Sequence, residues 1–323
     1  MAAAPDPDLV LRFRRDLEAV GGRDVSQLAL AVSGGPDSLA LLILADDALP
    51  GRIAAATVDH GLRAESRGEA EAVARLCGRL GVPHQILAAI VERTGHGLQA
   101  AARAARYAAL AGWMDRDGLG LLLTAHHRDD QAETLLMRLN RGSGVAGLAG
   151  VRAAGTVPGT GGRLRLGRPL LGWRRDELQA IVDAAGVEAA SDPGNFDERF
   201  DRARIRRRLA EAPWLDPAAL ARSAALLAEA EAALEWAAAP LFAARTEVEE
   251  GRVILRSNGL PPELLRRLVL RCLRQLAPEA RPRGAALAAF IARLEQGGTA
   301  TLCEVKATGG DTWRFEPAPP RRR

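Results

Sequence analysis

The chain has 323 residues and a mass of 34.3 kDa, which predicts about two domains, and its 48% hydrophobic and 26% charged residues exclude a protein that is disordered throughout. Its 44 basic and 40 acidic side chains give a formal net charge of +4, which permits a polyanionic partner without requiring one. The three cysteines are scattered, no apolar run approaches the roughly 20 residues that span a bilayer, and no signal peptide precedes the first helix, so we predict a cytoplasmic protein without membrane association.

Short apolar runs alternate with longer amphipathic segments through the first part of the chain. The runs predict strands at 27–33, 52–58, 84–87 and 120–125, and the other segments predict helices at 7–20, 37–47, 64–80, 98–117 and 129–139. Strands that alternate with helices of this length are typical of βαβ units, in which a parallel sheet is covered on both faces. We therefore predict a doubly wound α/β domain over residues 1–215.

The pattern changes after residue 150, where a Gly-, Pro- and Thr-rich segment at 156–162 predicts a loop. Pro213 and Pro217 bracket the predicted domain boundary. Beyond it, helices are predicted at 218–246, 262–276 and 284–294, with strands at 253–255, near 299–305 and near 312–315. These elements predict a smaller, mainly helical α+β domain over residues 216–323.

A glycine-rich turn, Ser33-Gly34-Gly35-Pro36-Asp37-Ser38, joins the first predicted strand to the following helix. Its glycines allow backbone N–H groups to turn inward, and the N-terminus of the helix favours a phosphate group. The turn lacks the Gly-Lys-Ser/Thr ending of a Walker loop and the GxGxxG spacing of a dinucleotide-binding turn. It therefore predicts a phosphate-binding loop of another type, although a tight strand-to-helix connection would also use glycine.

Two further polar clusters, at 59–63 and 125–133, follow the second and fourth predicted strands. Ligands of open parallel sheets bind beyond the carboxyl ends of the strands, so the three clusters predict one binding site. Within the last cluster, Asp130 and Glu133 are three residues apart and share a helix face. Taken alone, such a pair would more often be a solvated acidic face.

The turn at 33–38 resembles the PP-loop of the ATP-pyrophosphatase superfamily, which implies cleavage of ATP between its α- and β-phosphates. Three further segments are similar to motifs of the tRNA(Ile)-lysidine synthase family. They are VDHGLR at 58–63, TAHHRDDQAET at 124–134 and MRLNRGSGVAGL at 137–148. The resemblance is dense over roughly residues 26–216 and loose over the rest.

This resemblance implies a ligase that works in two steps. ATP adenylates the C2 oxygen of the wobble cytidine in an isoleucine tRNA with a CAU anticodon, which releases pyrophosphate; the amine of free lysine then attacks C2 and expels AMP. The implied cofactors are ATP and Mg²⁺, and the implied partners are this tRNA and free lysine, with no obligate protein partner. The smaller C-terminal domain is expected to contact the tRNA.

The resemblance also implies roles for individual residues. The expected ATP-binding residues are Ser33, Gly34, Gly35, Pro36, Asp37, Ser38, Val58, Asp59, His60 and Ala125. Asp37, Asp130 and Glu133 are the expected catalytic residues, with Asp37 and Asp130 holding Mg²⁺ and with Asp130 and Glu133 binding lysine. The expected tRNA-binding residues are Arg103, Arg106, Arg202, Arg206, Arg207 and Arg208, although an exposed basic helix would also account for those after residue 200.

Two alternatives share part of this pattern. A tRNA 2-thiolase of the same superfamily would need reactive or cluster-binding cysteines near the site, and the positions of Cys77, Cys272 and Cys303 argue against them. A nucleotide-dependent RNA-binding protein without catalytic activity would tolerate a degenerate loop. The intact segments at 33–38 and 129–134 argue against that alternative.

Overall fold

A computed structural model of the chain describes residues 4–24, 26–61, 65–89, 98–190 and 201–319. The chain divides into two compact units: unit 1 comprises Met1–Gly142 and Leu148–Ala225, and unit 2 comprises Ser143–Gly147 and Leu226–Arg323. The main division falls between Ala225 and Leu226, inside a helix, whereas the sequence predicted a boundary between 215 and 216. No helix in the described ranges is both long and apolar enough to cross a membrane.

Unit 1 contains a six-stranded sheet with helices on both faces. Its strands are β1 (Leu28–Ala31), β2 (Ile53–Asp59), β3 (His84–Ala88), β4 (Leu121–Leu123), β5 (Ala154–Thr156) and β6 (Arg165–Gly167). Its helices are α1 (Pro7–Ala19), α2 (Pro36–Ala48), α3 (Glu65–Leu80), α4 (Leu98–Asp117), α5 (Arg128–Leu139), α7 (Arg175–Ala184) and α8 (Asp201–Ala210), and the short helix α6 (Val145–Leu148) lies between α5 and β5 in the chain.

The strand order of this sheet is β3-β2-β1-β4-β6-β5, and all neighbouring pairs are parallel except β5 with β6. The predicted parallel sheet is confirmed. The connections reverse direction at β1 and β4, which is where open α/β sheets leave a crevice at the carboxyl ends of their strands. The loops that carry the predicted site residues start at this point.

The burial of α2 explains why its sequence shows no amphipathic pattern. Every residue from Ser38 to Ala45 on this helix is buried, because α1 and α7 pack against it on the side away from the sheet. The opposite face of the sheet packs against α4 through Leu110, Trp113 and Met114. A helix that is apolar all round is expected in such a layered interior.

The described residues of unit 2 form a five-stranded antiparallel sheet and three longer helices, together with most of the short helix α6. The helices are α9 (Pro217–Arg245), which begins in unit 1, α10 (Pro262–Leu276) and α11 (Gly284–Glu295); the strands are β7 (Thr246–Glu249), β8 (Arg252–Leu255), β9 (Thr299–Leu302), β10 (Val305–Thr308) and β11 (Trp313–Pro317). Their order is β7-β8-β11-β10-β9. The predicted α+β class is confirmed, with a larger sheet than the sequence indicated.

The strand predicted near 299–305 is wrong in one respect, because the structure forms a hairpin there. Cys303 and Glu304 make the turn between β9 and β10 with φ angles of 48° and 62°. Two-residue hairpin turns need positive φ, and the usual sequence signal is Asn-Gly or Asp-Gly. Cys-Glu carries no such signal, so the turn could not be predicted from the sequence.

Candidate active site

The glycine-rich turn forms a compact loop between β1 and α2. The Ser33 N–H donates to Ser38 Oγ at 3.1 Å, and Ser38 Oγ donates to the Gly35 carbonyl at 2.9 Å. Gly34 has φ of 89°, and a Cβ there would lie 3.4 Å from Val73 Cγ2, so glycine suits both the conformation and the close packing. The loop therefore presents a fixed backbone at the N-terminus of α2, where a phosphate group is favoured.

The end of β2 carries the second predicted nucleotide contact. Asp59 Oδ1 accepts hydrogen bonds from Ser66 Oγ at 2.7 Å and from the Gly61 N–H at 2.9 Å, and these bonds lower the pKa of the Asp59 carboxyl. Burial and the neighbouring Arg106 charge lower the pKa of His60. Asp59 therefore anchors the turn that follows β2. Residues 62–64, with the end of the VDHGLR segment, lie outside the described residues.

His127 lies at the centre of three carboxylates, a role that the sequence did not predict. Its Nε2 is 3.4 Å from Asp37 Oδ2 and 3.6 Å from Asp130 Oδ2, and its Nδ1 is 3.4 Å from Asp129 Oδ2. Burial by itself lowers the pKa of His127, but interactions with Asp129 and Asp37 and the Asp130 charge outweigh it and raise the pKa to about 9. The imidazole is therefore charged at neutral pH and offsets part of the acidic cluster.

The adjacent His126 has the opposite character. Its Nδ1 lies 3.0 Å from Thr124 Oγ1, and burial lowers its pKa, with the Arg168 and Arg202 charges adding to the effect against the opposing charge of Asp130. His126 is thus neutral at neutral pH. Two neighbouring histidines in one sequence motif differ in charge because only one of them faces several carboxylates.

The acidic pair predicted on α5 is occupied by two arginines of α8. Arg202 Nη2 donates to Asp130 Oδ1 at 2.5 Å and its Nε donates to Glu133 Oε2 at 2.7 Å. Arg206 Nε donates to Glu133 Oε1 at 2.7 Å. The Glu133 side chain is 2% exposed, so both of its oxygens are taken up by guanidinium groups rather than by solvent.

A cavity of about 690 Å³ joins these features at the carboxyl ends of the strands. Many of the predicted residues line it together: Ser33, Gly35, Pro36, Asp37, Ser38, Val58, His60, Arg103, Arg106, Ala125, Asp130, Arg202 and Arg206. Glu133 is not part of the lining, because it lies behind the two arginines. Arg207 and Arg208 are exposed and pair with Glu211 at 3.2 and 3.1 Å, so they stand apart from the cavity residues.

Sequence reasoning missed several residues of this site. Thr57 and Tyr107 line the cavity, and Tyr107 lies under the Arg103 guanidinium, whose carbon is 5.0 Å from the ring centroid. Arg168, 8% exposed, follows β6 and lies outside the cavity lining; its Nη1 donates to the Arg152 carbonyl at 2.6 Å, and its charge helps to lower the pKa of His126 in the cavity. The sequence could not indicate Arg168 as a residue at the end of a strand, because the short strand β6 before it was not predicted.

The carboxylates fit the predicted Mg²⁺ in number and kind. Mg²⁺ is commonly held by one or two carboxylates together with phosphate oxygens and water. Asp37 Oδ1 is buried without a hydrogen-bond partner among the described residues, and Asp130 lines the same cavity. No group of three or more His, Cys, Asp or Glu side chains suited to a metal occurs in the described ranges.

The fold and the loop define a class of protein, the PP-loop ATP-binding domain. Residues 9–212 match the PP-loop domain family, which confirms the predicted ATP site at the level of the domain. The solved structure of a U34-tRNA thiolase from Methanococcus maripaludis with its [4Fe-4S] cluster shares this fold, with a TM-score of 0.55 and 18% identity over 69% of this chain and 80% of that one. This likeness concerns the fold alone.

Sequence relatives define the family within that class. The chain is 46% identical to a tRNA(Ile)-lysidine synthase of Zymomonas mobilis over 92% of this chain and 90% of that protein. It is 49% identical to one of Novosphingobium aromaticivorans over 96% of this chain and 94% of that protein. The chain belongs to the tRNA(Ile)-lysidine synthase family, which confirms the predicted resemblance and the prediction of a ligase. The thiolase alternative is less well supported.

Proposed function

We propose that this enzyme uses ATP to attach lysine to C2 of the wobble cytidine in an isoleucine tRNA with a CAU anticodon. One observation carries the proposal: a single cavity is lined by the glycine-rich loop at the N-terminus of α2, by the Asp130 carboxylate, whose pKa is lowered, and by several guanidinium groups. These groups suit ATP, an amino acid and a tRNA. The names of the relatives agree with this chemistry.

The first step places negative charge on the α-phosphate and on the departing pyrophosphate. Catalysis of such a transfer depends mainly on positioning and electrostatic stabilisation. In this proposal, the backbone of Ser33–Ser38 and the N-terminus of α2 hold the pyrophosphate portion, which the compact loop and the helix N-terminus support. Asp37 and Asp130 would hold Mg²⁺, which supplies positive charge to the phosphate oxygens when bound. In this arrangement, His127 orients the two carboxylates from behind.

The second step requires a neutral amine at the reacting carbon. The lysine amine has a pKa of about 10.4 in water, so it arrives protonated and needs both a partner and a proton acceptor. Burial raises the pKa of Asp130, but the charges of His127 and Arg202 outweigh burial, so the pKa is lowered overall. This carboxylate is therefore ionised and suited to hold an ammonium group. His126 lines the same cavity in its neutral form, and its lowered pKa of about 4 makes it a weak base toward the lysine ammonium group.

The guanidinium groups of Arg202 and Arg206 supply positive charge that would bind the α-carboxylate of lysine. Free lysine carries an α-carboxylate as well as amines, and guanidinium groups bind carboxylates well. Glu133 holds both arginines in the cavity wall, so we propose that it contributes through them. Direct contact between Glu133 and lysine, as the sequence suggested, stays a prediction that requires one of these arginines to move.

Transfer of labelled lysine tests the proposed function. The protein is incubated with ATP, Mg²⁺, radiolabelled lysine and either isoleucine tRNA with a CAU anticodon or methionine tRNA, and the label in the tRNA is counted. We expect label in the isoleucine tRNA only, and only when ATP is present. Absence of label in both tRNAs, with a protein that still releases pyrophosphate from ATP, would contradict the proposal.

A further inference from the structure

Helix α8 has two basic faces that serve different surroundings. Arg202 and Arg206, four residues apart, face the cavity and bind the buried carboxylates of α5. Arg204, Arg207 and Arg208 are exposed on the other side of the helix. The helix is therefore a wall of the cavity, and its outer face is a positively charged surface next to the site.

An exposed tryptophan follows this helix directly. Trp214 is 80% exposed in a chain that has only 4% aromatic residues. The backbone around it is fixed by turn hydrogen bonds, from the Ala212 N–H to the Leu209 carbonyl at 3.2 Å and from the Leu215 N–H to the Ala212 carbonyl at 2.9 Å. A large indole held in solvent on a fixed turn is well suited to bind a flat partner.

The ion pairs on this outer face are easily exchanged. Glu211 is the shared partner of Arg207 and Arg208, at 3.2 and 3.1 Å, and all three side chains are about half exposed or more. Exposed pairs of this kind contribute little free energy, about 0–1 kcal/mol each. A phosphate group can therefore replace Glu211 as the partner of Arg208 at small cost.

We propose that Arg204, Arg207, Arg208 and Trp214 form an RNA surface that binds the nucleotides flanking the base in the cavity, with an unpaired base stacked on the Trp214 indole. The proposal rests on the proposed function, since it assumes that a tRNA base enters the cavity. Proteins that recognise single-stranded RNA loops combine basic side chains for the phosphates with aromatic side chains for splayed bases. Because α8 separates the cavity from this face, a strand that delivers one base inward would pass its neighbours over the outside.

Binding of a fluorescent anticodon stem-loop to three variants tests the stacking contact. Base stacking on an aromatic side chain predicts that Trp214→Ala weakens binding about 5- to 150-fold. Trp214→Phe keeps a stacking ring and should bind within a few-fold of the unmodified protein. Leu11→Ala is the control, because Leu11 is a large apolar side chain that is 54% exposed on α1 of unit 1. ATP affinity measured without RNA should stay the same in all three variants.

The salt dependence of binding tests the phosphate contacts. Each phosphate contact to single-stranded nucleic acid adds about 0.7 to the slope of log affinity against log salt. Replacing Arg207 and Arg208 with glutamine should reduce that slope, whereas Trp214→Ala should leave it unchanged. Equal affinity of Trp214→Ala and the unmodified protein would overturn the proposal, as would an unchanged slope in the arginine variant.

The outcome for lysine transfer separates the two proposals. If the unmodified protein forms lysidine and Trp214→Ala binds the stem-loop normally, the proposal of an RNA surface on the outer face of α8 is wrong and the proposed function stands. If the protein binds the stem-loop through Trp214 but never transfers lysine, the proposed function is wrong and the surface stands. Thermal unfolding of the variants confirms that an exposed substitution has not altered the fold.

Discussion

The two units each contain a cluster of buried ionic groups, and the clusters differ in how completely their members are satisfied. In unit 2, Arg267 is 6% exposed and donates to Glu231 at 2.5 and 3.0 Å, while Glu235 and Glu263 occupy its remaining N–H groups. None of the buried polar atoms of these four residues lacks a hydrogen-bond partner within the described structure. This cluster joins α9 to α10 and is closed.

In unit 1, by contrast, the cluster around His127 is incomplete. Asp37 Oδ1 is buried without a hydrogen bond in the described part of the chain, the contacts of His127 with its three carboxylates are long, at 3.4 to 3.6 Å, and the adjacent cavity is open to a ligand. Unpaired buried polar atoms are costly, so their presence is expected where a substrate or ion completes the network. A buried charged cluster therefore does not by itself indicate function. A buried charged cluster indicates function when it lies beside a cavity and one of its polar atoms still lacks a hydrogen-bond partner.

The largest expected effect is a loss of folding stability when the closed ionic cluster of unit 2 loses its arginine. Arg267→Ala leaves Glu231 buried without its partner and should lower the free energy of unfolding by about 3–5 kcal/mol. Urea unfolding measures this loss. Arg271→Ala is the control, since Arg271 pairs with the half-exposed Glu235 and should cost less than about 1 kcal/mol. ATP affinity should be unaffected by either change; a loss of ATP binding in Arg267→Ala would remove the distinction between the clusters.

The next effect concerns the incomplete cluster. Asp37→Ala should reduce tRNA-dependent pyrophosphate release by about 100-fold or more, because preorganised charge at a reacting phosphate is worth that much in other enzymes. Ser38→Ala, which removes the hydroxyl that ties the loop, should also reduce the rate. Asp47→Ala, an exposed carboxylate on the same helix, is the control. Rates in Asp37→Ala and Ser38→Ala equal to that of Asp47→Ala would exclude the loop as the nucleotide site.

The charge of His127 predicts a pH dependence of stability. Its pKa is raised from the ordinary value of about 6.5 to about 9 in the folded protein, so folding is favoured by proton binding. The contribution, on the order of 3 kcal/mol, is fully present below pH 6.5 and is lost as the pH rises towards and through 9. Unfolding measured in EDTA between pH 6 and 10 shows this slope. His127→Gln should remove it, and an equal slope in this variant would assign the titration elsewhere.

A smaller effect concerns Glu133 and its arginines. Glu133→Gln should raise the KM for lysine about 10- to 100-fold, the value of one charge-assisted contact, while tRNA adenylation without lysine continues. Comparing lysine with 1,5-diaminopentane, which lacks the carboxylate, sharpens the test. If Glu133 acts through Arg202 and Arg206, the variant loses affinity for lysine but little for the diamine. Equal losses for both would show direct contact with the amine.

The sequence predicted the site through local patterns and missed what depends on distant partners. The three-residue spacing correctly indicated that Asp130 and Glu133 share a helix face, and the polar ends of three strands indicated a common site. The pairing of Glu133 with Arg202 joins positions 69 residues apart, so no local pattern contains it. The same is true of His127, whose charge depends on Asp37 far away in sequence, and of the exposed strand β5, whose three residues show no period.

The most direct test follows the α-phosphate of ATP. The protein is incubated with isoleucine tRNA, Mg²⁺ and ATP labelled at the α-phosphate, first without lysine and then with it. We expect the label to become attached to the tRNA in the first stage, and to be released as AMP when lysine is added. Lysine transfer without any labelled tRNA intermediate, or label on the tRNA that lysine does not discharge, would contradict the assignment of both steps to this cavity.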